Sequence, residues 1–191
     1  MANISFITDR LATGGDITSL DDIDDLVAAG ITHVIDNRLE WSDEELFAER
    51  APGIVYLHNG VDDAGGRQGA QWYERGVGFA LEALARLDTK VLAHCHMGIN
   101  RGPSMAFAIM LALGWDPVEG FDAIRAARPI AGLAYALDAL HHRLTVDGVD
   151  RVTAKRSLER LARHERANQI DVARIIRRIR TEEAAGLRDS A

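Results

Sequence analysis

A chain of 191 residues, 47% of them apolar and only four of them proline, has the mass for one sizeable core and none of the bias of a disordered polypeptide. Its single cysteine excludes an internal disulfide framework and suits the reducing cytoplasm, and the stretch through Asp9 lacks the basic-then-apolar order of an export signal. The formal net charge is −7, yet 151–191 carries eleven basic against six acidic residues, so the first 150 form a strongly acidic body that disfavours nucleic acid or an anionic membrane as a partner.

Ile4 to Ile7 and Leu11 to Ala12 read as short strands before a Gly14-Gly15 turn. A helix follows, with Thr18 or Ser19 as its cap, Asp21 and Asp22 in its first turn and Gly30 at its close. Next come a strand over Ile31 to Ile35, a helix over Asp43 to Glu49, a Pro52-Gly53 turn and a strand over Ile54 to Leu57. The segment Asp62 to Gly69 has three glycines and no apolar periodicity, which predicts a mobile loop. A helix over Gln71 to Leu87 leads to an apolar strand that ends at Cys95. The second half reads as helical. One helix packs against the sheet through Met105, Phe107, Ile109 and Leu111, a second is opened by Asp116-Pro117 and runs through Ala126, and a third spans Leu133 to Leu144. The longest apolar run, Met105 to Leu113, is far below the ~20 residues of a membrane span. In the tail, Val172, Ile175, Ile176 and Ile179 share one helical face and Arg174, Arg177, Arg178 and Arg180 take the others. Such a helix packs on the acidic body, docks a protein or holds an anion; the first is preferred because acids interrupt the arginines.

The chemistry concentrates in Val91 to Ser104, where the only cysteine is followed by an arginine six positions later. A strand delivers Cys95 to a loop at a helix N-terminus. Unpaired N–H groups and the positive end of the helix dipole there hold a phosphate dianion, and the same field favours the thiolate. The loop His96, Met97, Gly98, Ile99 and Asn100 offers its amides, and Gly98 suits a point where a side chain would crowd the phosphate. The planar fork of Arg101 can grip two phosphoryl oxygens. The bland alternative, a buried and unreactive cysteine, leaves the arginine at the end of a glycine-containing turn unexplained. Zinc is disfavoured: His94, Cys95 and His96 are adjacent, alternate sides when extended, and have no second ligand pair at the usual spacing, so neither metal nor cofactor is expected.

The His-Cys-x5-Arg signature with Gly98 inside it resembles that of the cysteine-dependent protein phosphatases, and the flanks look most like their dual-specificity branch. Ala29 to Asp36 is similar to the run into a strand common in that branch, and Ala123 to Pro129 resembles its helix ending in Arg-Pro; the likeness spans roughly Phe6 to Leu144. It implies that Cys95 is the nucleophile, that Arg101 binds phosphate, and that His94 supports the loop and favours the thiolate. It also implies a general acid in the loop after Ile54 to Leu57. Asp63, thirty-two residues before Cys95, is the candidate, and Asp62 is its alternative. The chain departs from the family at Gly102, where a Ser or Thr usually stabilises the departing thiolate; slow breakdown of the phosphoenzyme, seen as a burst, is expected.

Pattern and resemblance together predict an α/β fold: a central mixed, largely parallel sheet flanked by helices, a catalytic domain over 1–150 and a basic helical extension over 151–191. The expected activity is metal-independent hydrolysis of phosphotyrosine, with phosphoserine and phosphothreonine as further substrates, in a phosphoprotein partner. Met97, Ile99 and Asn100 add no positive charge for a multiply phosphorylated lipid. The rivals are a cysteine phosphatase acting on RNA 5′ ends or small phosphate esters, and a non-catalytic phosphate-binding module motivated by Gly102 alone. His33, His58, His141, His142 and His164 read as packing or surface residues.

Overall fold

The computed structural model describes residues 2–186; residue 1 and 187–191, the end of the predicted extension, lie outside the described residues. A five-stranded sheet is formed by β1 (Ile4–Phe6), β2 (Leu11–Gly14), β3 (His33–Arg38), β4 (Val55–Val61) and β5 (Val91–His94), in the order β1-β2-β5-β3-β4. Only β1 runs antiparallel, so the sheet is mixed and largely parallel as expected.

The helices are α1 (Leu20–Ala28), α2 (Glu44–Arg50), α3 (Ala70–Leu84), α4 (Arg101–Ala112), α5 (Pro117–Ala127), α6 (Ala136–Val146), α7 (Arg151–Ala167) and α8 (Val172–Ala184). The strands are apolar on both faces because both faces are covered. Leu11, Ile35, Val91 and Ala93 join a core with residues of α3 to α7, whereas Ala12, Val34 and Leu92 meet Ile23 and Leu26 of α1 and Phe47 of α2. Helix α4 is buried from Arg101 through Leu111, so the segment that follows the cysteine loop is the hub of the larger core.

Local caps explain the boundaries. Ser19 and Asp22 form a reciprocal capping box on α1, and Asp116 accepts from Val118 N and Glu119 N ahead of Pro117. Strand β3 starts and ends later than its apolar letters suggest. Ile31 N still bonds Leu26 O of α1, and the strand continues through the buried Asp36, Asn37 and Arg38, of which Asp36 and Arg38 pair with each other while Asn37 Nδ2 donates to Ile35 O and His94 O. Strand β4 likewise extends to Val61. Helix α6 begins at Ala136 rather than Leu133 because Leu133 adopts φ +51°, which no right-handed helix contains.

Helix α7 lies on α5 and α6. Leu161 is in the main core, and Arg160 and His164 pair with Asp116 and Asp122 of the body. Asp171 caps α8 by accepting from Arg174 N, and Ile179 is the buried member of its apolar stripe. No helix among the described residues is long and apolar enough to cross a membrane.

Candidate active site

Gly14 of β2 and Asp36 of β3 are register partners of His94 on β5, so three parallel strands end side by side and release their loops at one edge. In such sheets the carboxyl edge is where ligands bind. Cys95 is the first residue beyond β5, is buried, and donates its N–H to Gly14 O at 3.3 Å. The loop that follows closes on α4, whose N-terminus has no side-chain cap, so its leading N–H groups stay open to an anion.

Arg128, of the Arg-Pro pair, is threaded under this loop. Its Nε donates to Gly98 O at 2.6 Å and its Nη2 to Met97 O at 3.2 Å. A trans peptide holds N–H and C=O on opposite sides, so pinning these carbonyls turns the N–H groups of Gly98 and Ile99 away from Arg128. Gly98 itself has φ +62°, and a Cβ there would lie 2.3 Å from Arg128 Nη2 and 2.6 Å from the Gly14 carbonyl carbon. The support beneath the loop therefore requires a glycine here. A Cβ at Gly102 would come within 2.9 Å of Ala93 O and 3.0 Å of the His94 backbone, so the absence of a side chain there is what lets α4 press on β5. Ser104 does not replace the hydroxyl that Gly102 lacks: its Oγ accepts from Tyr135 N and faces Asn100 Oδ1.

Arg101 is almost wholly buried. Both terminal nitrogens reach Glu40, at 2.8 and 3.0 Å, and Nη1 also donates to Val61 O. Burial opposes its charge, but the Glu40 hydrogen bonds and the charges of Cys95 and Asp63 outweigh burial and hold its pKa above the ordinary guanidinium value. Hydrogen bonding from Arg101 correspondingly holds the Glu40 carboxyl below its usual range. Arg101 Nε is a buried donor with no hydrogen bond, 3.5 Å from Asp63 Oδ2.

Asp63 reaches the same place from the loop after β4. Its Oδ1 accepts from Tyr135 Oη at 2.8 Å and from Asn100 Nδ2, and its Oδ2 faces Arg101. The Asp62 side chain is exposed; what the fold holds is its carbonyl, bound by Gln68 Nε2. Cys95, Arg101 and Asp63 are thus brought to one edge, and Asp62 stands outside the cluster.

His94 is fully buried behind Cys95, and neither ring nitrogen has a hydrogen bond. Desolvation lowers its pKa against the pull of Asp36, whose Oδ1 is 3.7 Å from Nε2, so the ring is neutral at pH 7. Asp36 is kept ionised against the cost of burial by Arg38 and by the Tyr56 hydroxyl. Arg38 is shared among Asp36, Asp43 and Asp16, and Asp16 in turn receives His96 Nδ1 at 3.0 Å. Asp36, Asp43 and His94 have metal-ligating atoms close together, but the Arg38 guanidinium already supplies the cation they surround. His94 is buried while His96 is partly exposed with its ring edge-on to Trp41, so the two histidines do not converge on one ion.

No family model matches the sequence. Solved structures do. PTPMT1 in complex with PI(5)P superposes with a TM-score of 0.66 and 19% identity, covering 76% of this chain and 97% of that chain. Human DUSP28 gives 0.64 and 15% over 77% and 97%, and the active form of Tk-PTP 0.59 and 23% over 72% and 93%. The fold is that of the dual-specificity phosphatases. In this fold the cysteine loop, Arg101 and the loop that carries Asp63 occupy the carboxyl edge of the parallel strands. Glu40, Asp16 and Tyr135 are the site residues that sequence reasoning missed. Glu40 and Asp16 follow strands β3 and β2 by two residues, and the rule that ligands sit at strand carboxyl ends was the signal that could have found them.

Proposed function

We propose that the protein hydrolyses phosphate monoesters through a cysteinyl-phosphate, with phosphotyrosine in a protein as its substrate and phosphoserine and phosphothreonine as further ones. The observation that carries this reading is the buried Arg101, held by Glu40, which feels the charge of Cys95 on one side and lies 3.5 Å from Asp63 Oδ2 on the other. Cys95 Sγ attacks phosphorus, the bond to the leaving oxygen breaks, and Asp63 gives that oxygen a proton. Water then attacks phosphorus as Asp63 takes a proton back and the S–P bond breaks, releasing inorganic phosphate. Arg101 and the loop amides of residues 96–101 carry the phosphoryl oxygens in both steps.

The rim supports an aryl ester. Leu39 and Trp41, 60% and 42% exposed, flank the Glu40 that grips Arg101, and the Trp41 ring meets His96 at 5.4 Å between centroids. The loop holds no lysine for a second phosphate. A catalytic thiolate needs a reducing setting, which fits the cytoplasm.

The test is hydrolysis of p-nitrophenyl phosphate in EDTA by the wild type and Cys95→Ser, followed by a phosphopeptide panel with an inositol-lipid phosphate and a 5′-phosphorylated RNA beside it. We expect wild-type turnover to fall by more than about 10³-fold in the variant. Turnover that survives in Cys95→Ser would reject the thiolate mechanism. Preference for the lipid or the RNA would reject the phosphoprotein.

A further inference from the structure

The acid loop has no secondary structure of its own, yet it is staked at both ends to the start of α6. Tyr135 Oη holds Asp63 at one end. At the other, Asp138 accepts from Gln68 N at 3.2 Å and pairs with Arg67. Tyr135 and Asp138 are three residues apart and so share a helix face. Tyr135 cannot wander. Its ring is buried against Trp72, its N–H reaches Ser104 Oγ, and its carbonyl accepts from Tyr73 Oη.

The residues leading to it are fixed on the phosphate loop. Gly132 N donates to Ile99 O at 2.6 Å and Ala134 N to Asn100 Oδ1 at 2.6 Å, and between them Leu133 is kept at φ +51° with its side chain buried. A left-handed leucine persists only where its surroundings over-determine it. The 131–138 segment therefore bridges the loop that binds phosphate and the loop that carries the acid.

We propose that Tyr135, with Asn100, is a positioning residue for the general acid: by donating to Oδ1 of Asp63, the pair confines the transferable proton to Oδ2, the oxygen that faces Arg101. This rests on the reading of Asp63 as the acid. Both hydrogen bonds to Oδ1 are compatible with a protonated Oδ2. The Oδ2 proton passes to the ester oxygen as its bond to phosphorus breaks. Oδ2 then takes a proton from the attacking water as the S–P bond breaks. The Tyr135 hydroxyl keeps its proton throughout; burial, together with the neighbouring Asp63, raises its pKa and preserves it as a donor.

The experiment compares phenyl phosphate, whose phenol leaves poorly, with p-nitrophenyl phosphate, whose phenol leaves well, in the full chain. Wild type, Tyr135→Phe, Asp63→Asn and the double variant are measured, and Phe keeps the ring that packs on Trp72. We expect Tyr135→Phe to lower the ratio of phenyl to p-nitrophenyl turnover by about 2- to 10-fold, the worth of one hydrogen bond. Asp63→Asn should lower that ratio further, and the double variant no more than Asp63→Asn alone. An equal loss on both substrates in Tyr135→Phe, or the same loss added on top of Asp63→Asn, would overturn the positioning role and leave the acid assignment standing. An unchanged ratio in Asp63→Asn would instead overturn the acid assignment and this inference with it.

Discussion

The two loops around the candidate site are built in opposite ways. The cysteine loop is contiguous: seven residues from Cys95 to Arg101 hold the thiol, the loop amides and the arginine, strung between a buried strand and a buried helix. Arg128 and the end of β2 fill the space beneath it. The Asp63 loop is assembled at a distance, its aspartate held by Tyr135, Asn100 and Arg101 from other parts of the chain. One loop is held by what packs beneath it, the other by hydrogen bonds at its two ends.

The largest effect that separates them is on turnover. Asp63→Asn should slow phenyl phosphate hydrolysis by about 10²-fold or more, whereas Asp62→Asn should stay within about twofold, because only Asp63 reaches Arg101. Steady-state kinetics of the two variants checks this, and the reverse outcome would move the acid to Asp62.

Glycine replacements make the next comparison. Gly98 and Gly65 both have positive φ, +62° and +83°, but a Cβ at Gly98 collides with Arg128 and Gly14 while nothing lies within 4 Å of one at Gly65. Gly98→Ala should cost roughly 3 kcal/mol or more, strain and overpacking together, and Gly65→Ala only about 1 kcal/mol of backbone strain. Chemical denaturation reads both. Equal losses would mean that the cysteine loop is no better supported than the acid loop.

The smallest effect concerns acid. His94 is buried with its pKa lowered, so the unfolded chain takes up a proton before the folded one, and stability should decline as pH falls below the ordinary histidine value of 6.5. His33, lowered chiefly by desolvation, adds to the same slope. Asp36, held below 3.8 by Arg38 and Tyr56 despite its burial, adds a second loss only below that value. Melting temperature against pH tests this, with His94→Gln expected to flatten the upper limb without abolishing it.

What the sequence determined by itself was whatever neighbours along the chain encode. The run from Val91 to Leu111 reads as strand, loop and helix because its apolar letters are dense and its functional residues adjacent. The caps at Ser19 and Asp116 are equally local. Arg128 was visible as a motif, though its task of pinning the Met97 and Gly98 carbonyls was not. The polar ends of β3 and β4 were illegible, since Asp36 and Arg38 look like loop residues until each is seen to neutralise the other in the interior. Glu40 and Tyr135 were hidden for the same reason. Their roles are contacts across 61 and 72 residues of chain, and only the tertiary structure, by ending three parallel strands at one edge and folding α6 against the acid loop, decided what they touch. Spacing encodes what a short stretch of backbone brings together; which distant side chain completes a charge or aims a proton is set by packing.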